Sequence, residues 1–156
     1  PNALAMLLAS ESGLVALKYS PRPLTAACQR SSIFLASPVA GSGQTLLPLL
    51  KLSEDASVVF TSSSVGRKGR AYWGAYGVSK FATEGLMQTL ADELEGVAPV
   101  RANSVNPGAT RTSMRAQAYP GENPASNPLP EAIMPVYLYL MGPDSRGVNG
   151  QAFDAQ

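Results

Sequence analysis

Histidine is absent from the 156 residues and cysteine occurs once, at Cys28. Together these gaps exclude the usual transition-metal sites, which are built from imidazole and thiolate ligands. A single thiol closes no intrachain disulfide, so nothing points to an oxidising compartment. Charge is also scarce: Asp, Glu, Lys and Arg make up 15% of the chain, against about 25% in an average domain. Twelve basic and eleven acidic residues leave a net charge of +1. No run of five like charges occurs, so a nucleic-acid partner has no support. Long apolar runs are missing too. Ala3 to Leu17 is apolar but carries Glu11 and lacks the basic start of a signal peptide. It also falls short of the ~20 residues a membrane span needs. The expectations are no membrane partner and a cytoplasmic location.

What is present is a chain of ordinary hydrophobicity, 45% by count, long enough for one domain with a real core. It divides unevenly. Residues 1 to 45 hold four charges, Glu11, Lys18, Arg22 and Arg30, and the remaining 111 residues hold nineteen. The first part, rich in Ala, Ser, Leu and Pro, offers only a short helix near Ala3 to Leu17 and a short strand at Ser32 to Ala36.

The pattern sharpens from Leu46. Leu46 to Leu52, leading into the polar Ser53-Glu54-Asp55, reads as a helix end. Ser57 to Thr61 is a β-branched and aromatic run of the kind covered on both faces of a parallel sheet. Arg67 to Tyr76, with Gly69 and Gly74, reads as a loop entering a helix. From Val78 the apolar positions Phe81, Ala82, Leu86, Leu90 and Leu94 follow helical spacing, and Gly96 marks the stop. Val100 to Val105 alternates as a strand and ends at the turn Asn106-Pro107-Gly108. Four prolines between Ser113 and Pro130 predict a mobile loop or lid. Ala132 to Met141 suits a buried helix, with Pro135 tolerable only in its first turn. Ala152-Phe153-Asp154 closes the series as a short strand. Strands alternating with helices predict an α/β fold, an open parallel sheet flanked by helices.

Chemistry is suggested by Tyr76-Gly77-Val78-Ser79-Lys80 at the start of the long helix. Residues four apart share a helical face, so the phenol and the amine can touch. An ammonium held close to a phenol favours its ionised form, which suits the pair to proton transfer near neutral pH. A Tyr and a Lys so spaced also occur often by chance, and the pair needs company. Ser63, at the end of the buried strand and thirteen residues before Tyr76, supplies it. Its hydroxyl could donate to the same substrate oxygen.

These residues resemble the short-chain dehydrogenase/reductase family. The likeness runs through Val58-Val59-Phe60-Thr61-Ser62-Ser63-Ser64-Val65-Gly66, then Tyr76 to Lys80, then Arg101-Ala102-Asn103-Ser104-Val105-Asn106-Pro107-Gly108-Ala109-Thr110-Arg111-Thr112. Pro130-Glu131-Ala132-Ile133 through Leu140, and Asn149-Gly150-Gln151, resemble the family's final helix and strand. The resemblance spans about residues 45 to 156 and implies the catalytic part of a Rossmann-type domain. It implies an oxidoreductase moving a hydride between NAD or NADP and a small carbonyl or alcohol substrate. Ser63 would polarise the carbonyl and Tyr76 would be the general acid or base. Lys80 would favour the phenolate and, with Tyr76, hold the nicotinamide ribose. Pro107, Gly108, Thr110 and Thr112 would hold the nicotinamide. Arg67 to Gly74, with Tyr72 and Trp73, and the loop Ser113 to Pro130 would border the substrate, although Tyr72 and Trp73 serve equally well as packing residues. The helix from 78 to 94 offers a face for a homo-oligomer.

The family's first strand and Gly-rich turn, which bring the pyrophosphate to a helix N-terminus, have no counterpart here. Gly41-Ser42-Gly43 lies too late in the order, and without a Lys before Thr45 it is not a P-loop. The domain therefore reads as incomplete, lacking its N-terminal Gly-rich half, with residues 1 to 44 expected to be a truncated or altered segment such as a shifted reading frame. The rival reading is a non-catalytic remnant or dimerisation module of the same fold that cannot hold the dinucleotide. The terminal Asp-Gly-Gly of the family is here Asp154-Ala155-Gln156.

Overall fold

A computed structural model describes residues 14–18, 32–36 and 47–156 of the chain. Its five strands are β1 (Leu14–Lys18), β2 (Ser32–Ala36), β3 (Ala56–Thr61), β4 (Val100–Asn106) and β5 (Ala152–Asp154). They form one sheet in the order β2-β1-β3-β4-β5. β3, β4 and β5 run parallel, with Val59 beside Asn103 and Val105 beside Phe153. β1 is antiparallel to both β2 and β3. The sheet is thus parallel through the part that bears the motifs and mixed at one side.

Parallel neighbours cannot be joined by a tight hairpin, so β3 and β4 require a crossover. Helix α1 (Gly74–Leu94) supplies it. Because side chains alternate along a strand, β3 feeds two cores. Val58 and Phe60 pack with Leu50, Met87, Ala91, Leu94, Val100 and Ala102 on the α1 side. Val59 turns the other way and joins Val105, Ile133, Tyr137, Leu140 and Met141, the last four from α3 (Pro130–Met141). Each fully covered Leu, Val or Met contributes about 1.5–3 kcal/mol. Two helices on opposite faces therefore fix the strand that leads into Ser62 and Ser63.

Four expectations need correction. The helix suggested for residues 3 to 17 is extended over Leu14–Leu17, where the chain pairs with β2 throughout and with β3 from Val15; the rest of it lies outside the described residues, as does the glycine cluster at 41–43. Backbone pairing with a buried strand here overrides local helical preference. Pro135 lies inside α3 rather than in its first turn. It is exposed, so water can reach the carbonyl that its missing N–H would have served. β4 does not alternate in burial: all of Val100 to Val105 is buried. Its polar side chains find partners, with Arg101 Nε alone among their buried atoms left without one. Arg101 meets Asp55 at 2.9 Å, Asn103 Nδ2 donates to the Val148 carbonyl at 2.8 Å, and Ser104 Oγ donates to Glu84 at 2.8 Å.

The fourth concerns residues 113 to 130, which contain helix α2 (Ser113–Ala118) and a 3-10 turn at Pro124–Ser126. Short-range polar contacts hold the segment together. Arg115 forms a two-pronged pair with Glu122, 2.7 Å at each contact. Arg111 donates to the carbonyls of Pro124, Ala125 and Asn127. The prolines shape this structure instead of preventing it.

Candidate active site

Parallel α/β sheets gather ligands beyond the carboxyl ends of their strands, and the singled-out residues collect at those ends. Ser63 follows β3 in an extended conformation (φ −161°, ψ 158°). Its carbonyl accepts the Gly66 N–H at 2.9 Å, closing the 3-10 turn Ser64–Gly66. This turn is pressed onto α1. A Cβ built on Gly66 would stand 2.7 Å from the Lys80 carbonyl oxygen and 3.0 Å from the Lys80 Cβ. Only glycine permits that approach, which ties the serine turn to the helix carrying Tyr76 and Lys80.

Within α1, Tyr76 falls in the first turn and Lys80 in the next. The Lys80 ammonium lies 5.6 Å from the centre of the Tyr76 ring, within the range of cation–π attraction. Lys80 is 7% exposed, and burial holds its ammonium below the ordinary lysine range. Its Nζ donates to the Thr61 carbonyl at 3.1 Å, the last residue of β3. Tyr76 is 40% exposed and so is open to a reactant. The sequence-selected pair does share one face, with the amine sheltered and the phenol accessible.

At the end of β4, Gly108 has φ +70°, a conformation that favours glycine. Thr110 is buried, and its hydroxyl lies 3.4 Å from the Pro107 carbonyl. The Thr112 hydroxyl accepts the Arg115 N–H at 3.2 Å and caps α2; its own proton remains available to another acceptor. Gln156 Nε2 donates to the Pro107 carbonyl at 2.6 Å and to the Ala109 carbonyl at 3.1 Å. Pro107, Gly108, Thr110 and Thr112 all follow the carboxyl end of β4, as Ser63 follows that of its parallel neighbour β3.

Sequence reasoning missed a polar junction beneath this end. Arg67, four residues after Ser63, donates to Glu84 at 3.2 Å, to Asp154 at 3.0 Å and to the Phe153 carbonyl at 2.9 Å. Glu84 is buried and also accepts the Ser104 hydroxyl. Asp154 accepts the Asn106 amide at 2.8 Å. One guanidinium thus joins the serine turn, α1, β4 and β5. The signal was the position of Glu84, one turn beyond Lys80 on the same face.

The segment from 113 to 130 also reaches Tyr76 through aromatic contacts. Trp73 lies 5.6 Å from Tyr76 and 6.4 Å from Tyr119, centre to centre. Among the described residues no His, Cys, Asp or Glu group forms a metal cluster, and no helix is long and apolar enough to cross a membrane.

The short chain dehydrogenase family profile matches residues 32–123. Over 113 residues the chain is 61% identical to the Escherichia coli K12 oxidoreductase YciK, covering 72% of this chain and 44% of that protein. A short chain dehydrogenase structure from Pseudomonas syringae is 82% identical with a TM-score of 0.72, over 73% of this chain and 46% of that one. A short chain dehydrogenase from E. coli CFT073 solved with NADPH is 61% identical with a TM-score of 0.69, over 72% and 46%. The chain spans about half the length of the relatives it matches.

Proposed function

The chain belongs to the short chain dehydrogenase family, and from that premise we propose that it carries the catalytic part of an NAD(P)-dependent oxidoreductase acting on a carbonyl or alcohol. The observation that carries this reading is the sheltered Lys80 ammonium 5.6 Å from the centre of the accessible Tyr76 ring. NADPH in the E. coli CFT073 relative favours the phosphorylated cofactor.

The residues at the strand ends fit a nicotinamide. Gly108, at φ +70° and exposed, would hold the flat ring beside the Pro107 carbonyl and the Thr110 and Thr112 hydroxyls once the Gln156 side chain, now 2.7 Å from where a Gly108 Cβ would stand, moves aside. When bound, the cofactor supplies or accepts the hydride. Reduction leaves negative charge on the substrate oxygen, which needs donors already in position. Ser63 Oγ–H donates a hydrogen bond to that oxygen, and the Tyr76 hydroxyl delivers the proton. Lys80 steadies the phenolate left behind and donates toward the nicotinamide ribose. In the reverse direction Tyr76 takes the proton from an alcohol. The exposed Val78 and Phe81 on α1 form the proposed face for a second copy of the chain.

The test is titration of the full chain with NADPH and with NADH, followed by fluorescence, and then assay with a panel of aldehydes and ketones. Saturable binding with carbonyl-dependent NADPH consumption supports the reading. No saturable change with either cofactor would overturn it and leave the remnant reading in its place.

A further inference from the structure

We propose that Trp73 and Tyr119 form the wall of a subsite for a planar aromatic ring carried beside the reacting carbonyl or alcohol, an inference that rests on the hydride-transfer reading and narrows its substrate class. The three rings Tyr119, Trp73 and Tyr76 make a continuous strip from the lid to the reacting phenol, with centres 6.4 and 5.6 Å apart. Both spacings lie within the range of favourable aromatic pairing.

The strip is not core packing. Neither Trp73 nor Tyr119 belongs to the two buried hydrophobic clusters; both are partly exposed, and Tyr76 is exposed. Tyr119 is also held in place. The Arg115 guanidinium lies 3.7 Å from the centre of its ring and is itself gripped by Glu122 through two 2.7 Å contacts. Asn127 braces Glu122 from the other side at 2.8 Å. A ring oriented by a three-residue polar clamp and aimed at a tryptophan presents a fixed π surface at low ordering cost. A flat conjugated ring gains from that surface through offset or edge contacts. A saturated ring of the same carbon skeleton is puckered and has no π system, so it gains only apolar contact.

The experiment compares acetylnaphthalene with its saturated counterpart acetyldecalin by equilibrium dialysis against the full chain, with and without NADPH. Acetylnaphthalene binds at least about tenfold more tightly, the equivalent of one or two aromatic pairs. Tyr119→Leu and Trp73→Leu bring the two ketones within about twofold of each other, whereas Tyr119→Phe keeps the preference. Circular dichroism confirms that each variant is folded; if a leucine variant is unfolded, the wild-type ratio and the Tyr119→Phe ratio decide. Equal affinities for the wild type, a preference that survives in both folded leucine variants, or binding of neither ketone overturns the subsite. The two readings fail separately. Carbonyl-dependent turnover without ring preference removes the subsite alone. Ring preference without turnover removes the hydride-transfer reading as the source of the substrate class and leaves an aromatic binding site.

Discussion

Gly66 and Lys80 meet backbone to backbone: a Cβ at residue 66 would stand 2.7 Å from the Lys80 carbonyl oxygen and 2.9 Å from its carbonyl carbon. The serine turn and the helix bearing the phenol and the amine are positioned against each other through this contact. Backbone atoms cannot swing aside as a flexible side chain can, so an added methyl group forces the turn off the helix.

Gly66→Ala is therefore expected to cost about 1–3 kcal/mol, as overpacking does, and to lower kcat by moving Ser63 relative to Tyr76. Urea denaturation and steady-state kinetics check both parts. A variant with unchanged midpoint and unchanged kcat would show that the contact does not set the site.

Much of this geometry was legible in the sequence. β3 announced itself because a strand covered by helices on both faces reads as an unbroken apolar run, and the Tyr76–Lys80 pair because helical periodicity is strict. What stayed hidden depended on partners far along the chain. Arg101 and Asn103 look like the solvent face of an alternating strand until Asp55 and Val148 are seen to pair with them, and Ser104 gives no sign of its buried partner Glu84. The lid was obscured by prolines that usually signal irregular chain, and its order comes from arginine contacts no periodicity reveals. Gly66 was visible as the last residue of the serine motif, but its contact with Lys80 was not.

Lys80→Met tests whether the amine serves chemistry or folding. Burial already disfavours the ammonium, and the structure gives it a hydrogen bond to the Thr61 carbonyl. Replacing it with an apolar chain of similar length removes one charge-assisted hydrogen bond, about 1.5–3 kcal/mol, but removes the desolvation cost that offsets it. Thermal melting is expected to change little, while carbonyl reduction falls by about 10²-fold or more. A large loss of stability with turnover intact would make Lys80 a structural residue.

Arg67 is expected to be structural at long range. In Arg67→Ala the buried Glu84 carboxylate loses its guanidinium, leaving an underpaired charge beside Ser104. Because the Arg67 side chain is 28% exposed, water offsets part of the loss, and destabilisation of about 1–3 kcal/mol is expected. Glu84→Gln in the same background should recover part of it. Additive effects of the two substitutions in a denaturation cycle would contradict the coupling.

Acid should release the lid late. Hydrogen bonds from Arg115 and Asn127 hold the Glu122 carboxyl at about 2, below its ordinary 4.5. A depressed carboxyl contributes above the unfolded value and loses that contribution as pH falls through the folded one. Emission from Trp73, the one tryptophan of the chain, reports the contact with Tyr119. It should hold steady from neutral pH to about 4.5 and change as pH falls toward 2. In Glu122→Gln the change should already be present at neutral pH. A transition centred near 4.5 in the wild type would mean that Arg115 does not clamp Glu122 in solution.

On the proposed reading the Tyr76 hydroxyl moves the proton that accompanies hydride transfer. Its most direct test is Tyr76→Phe, with NADPH binding and carbonyl reduction measured on the same preparation. Bound cofactor at near wild-type affinity, with kcat reduced by about 10²-fold or more, is the predicted result. Turnover retained in the phenylalanine variant would place the proton donor elsewhere and rule out Tyr76 as the general acid.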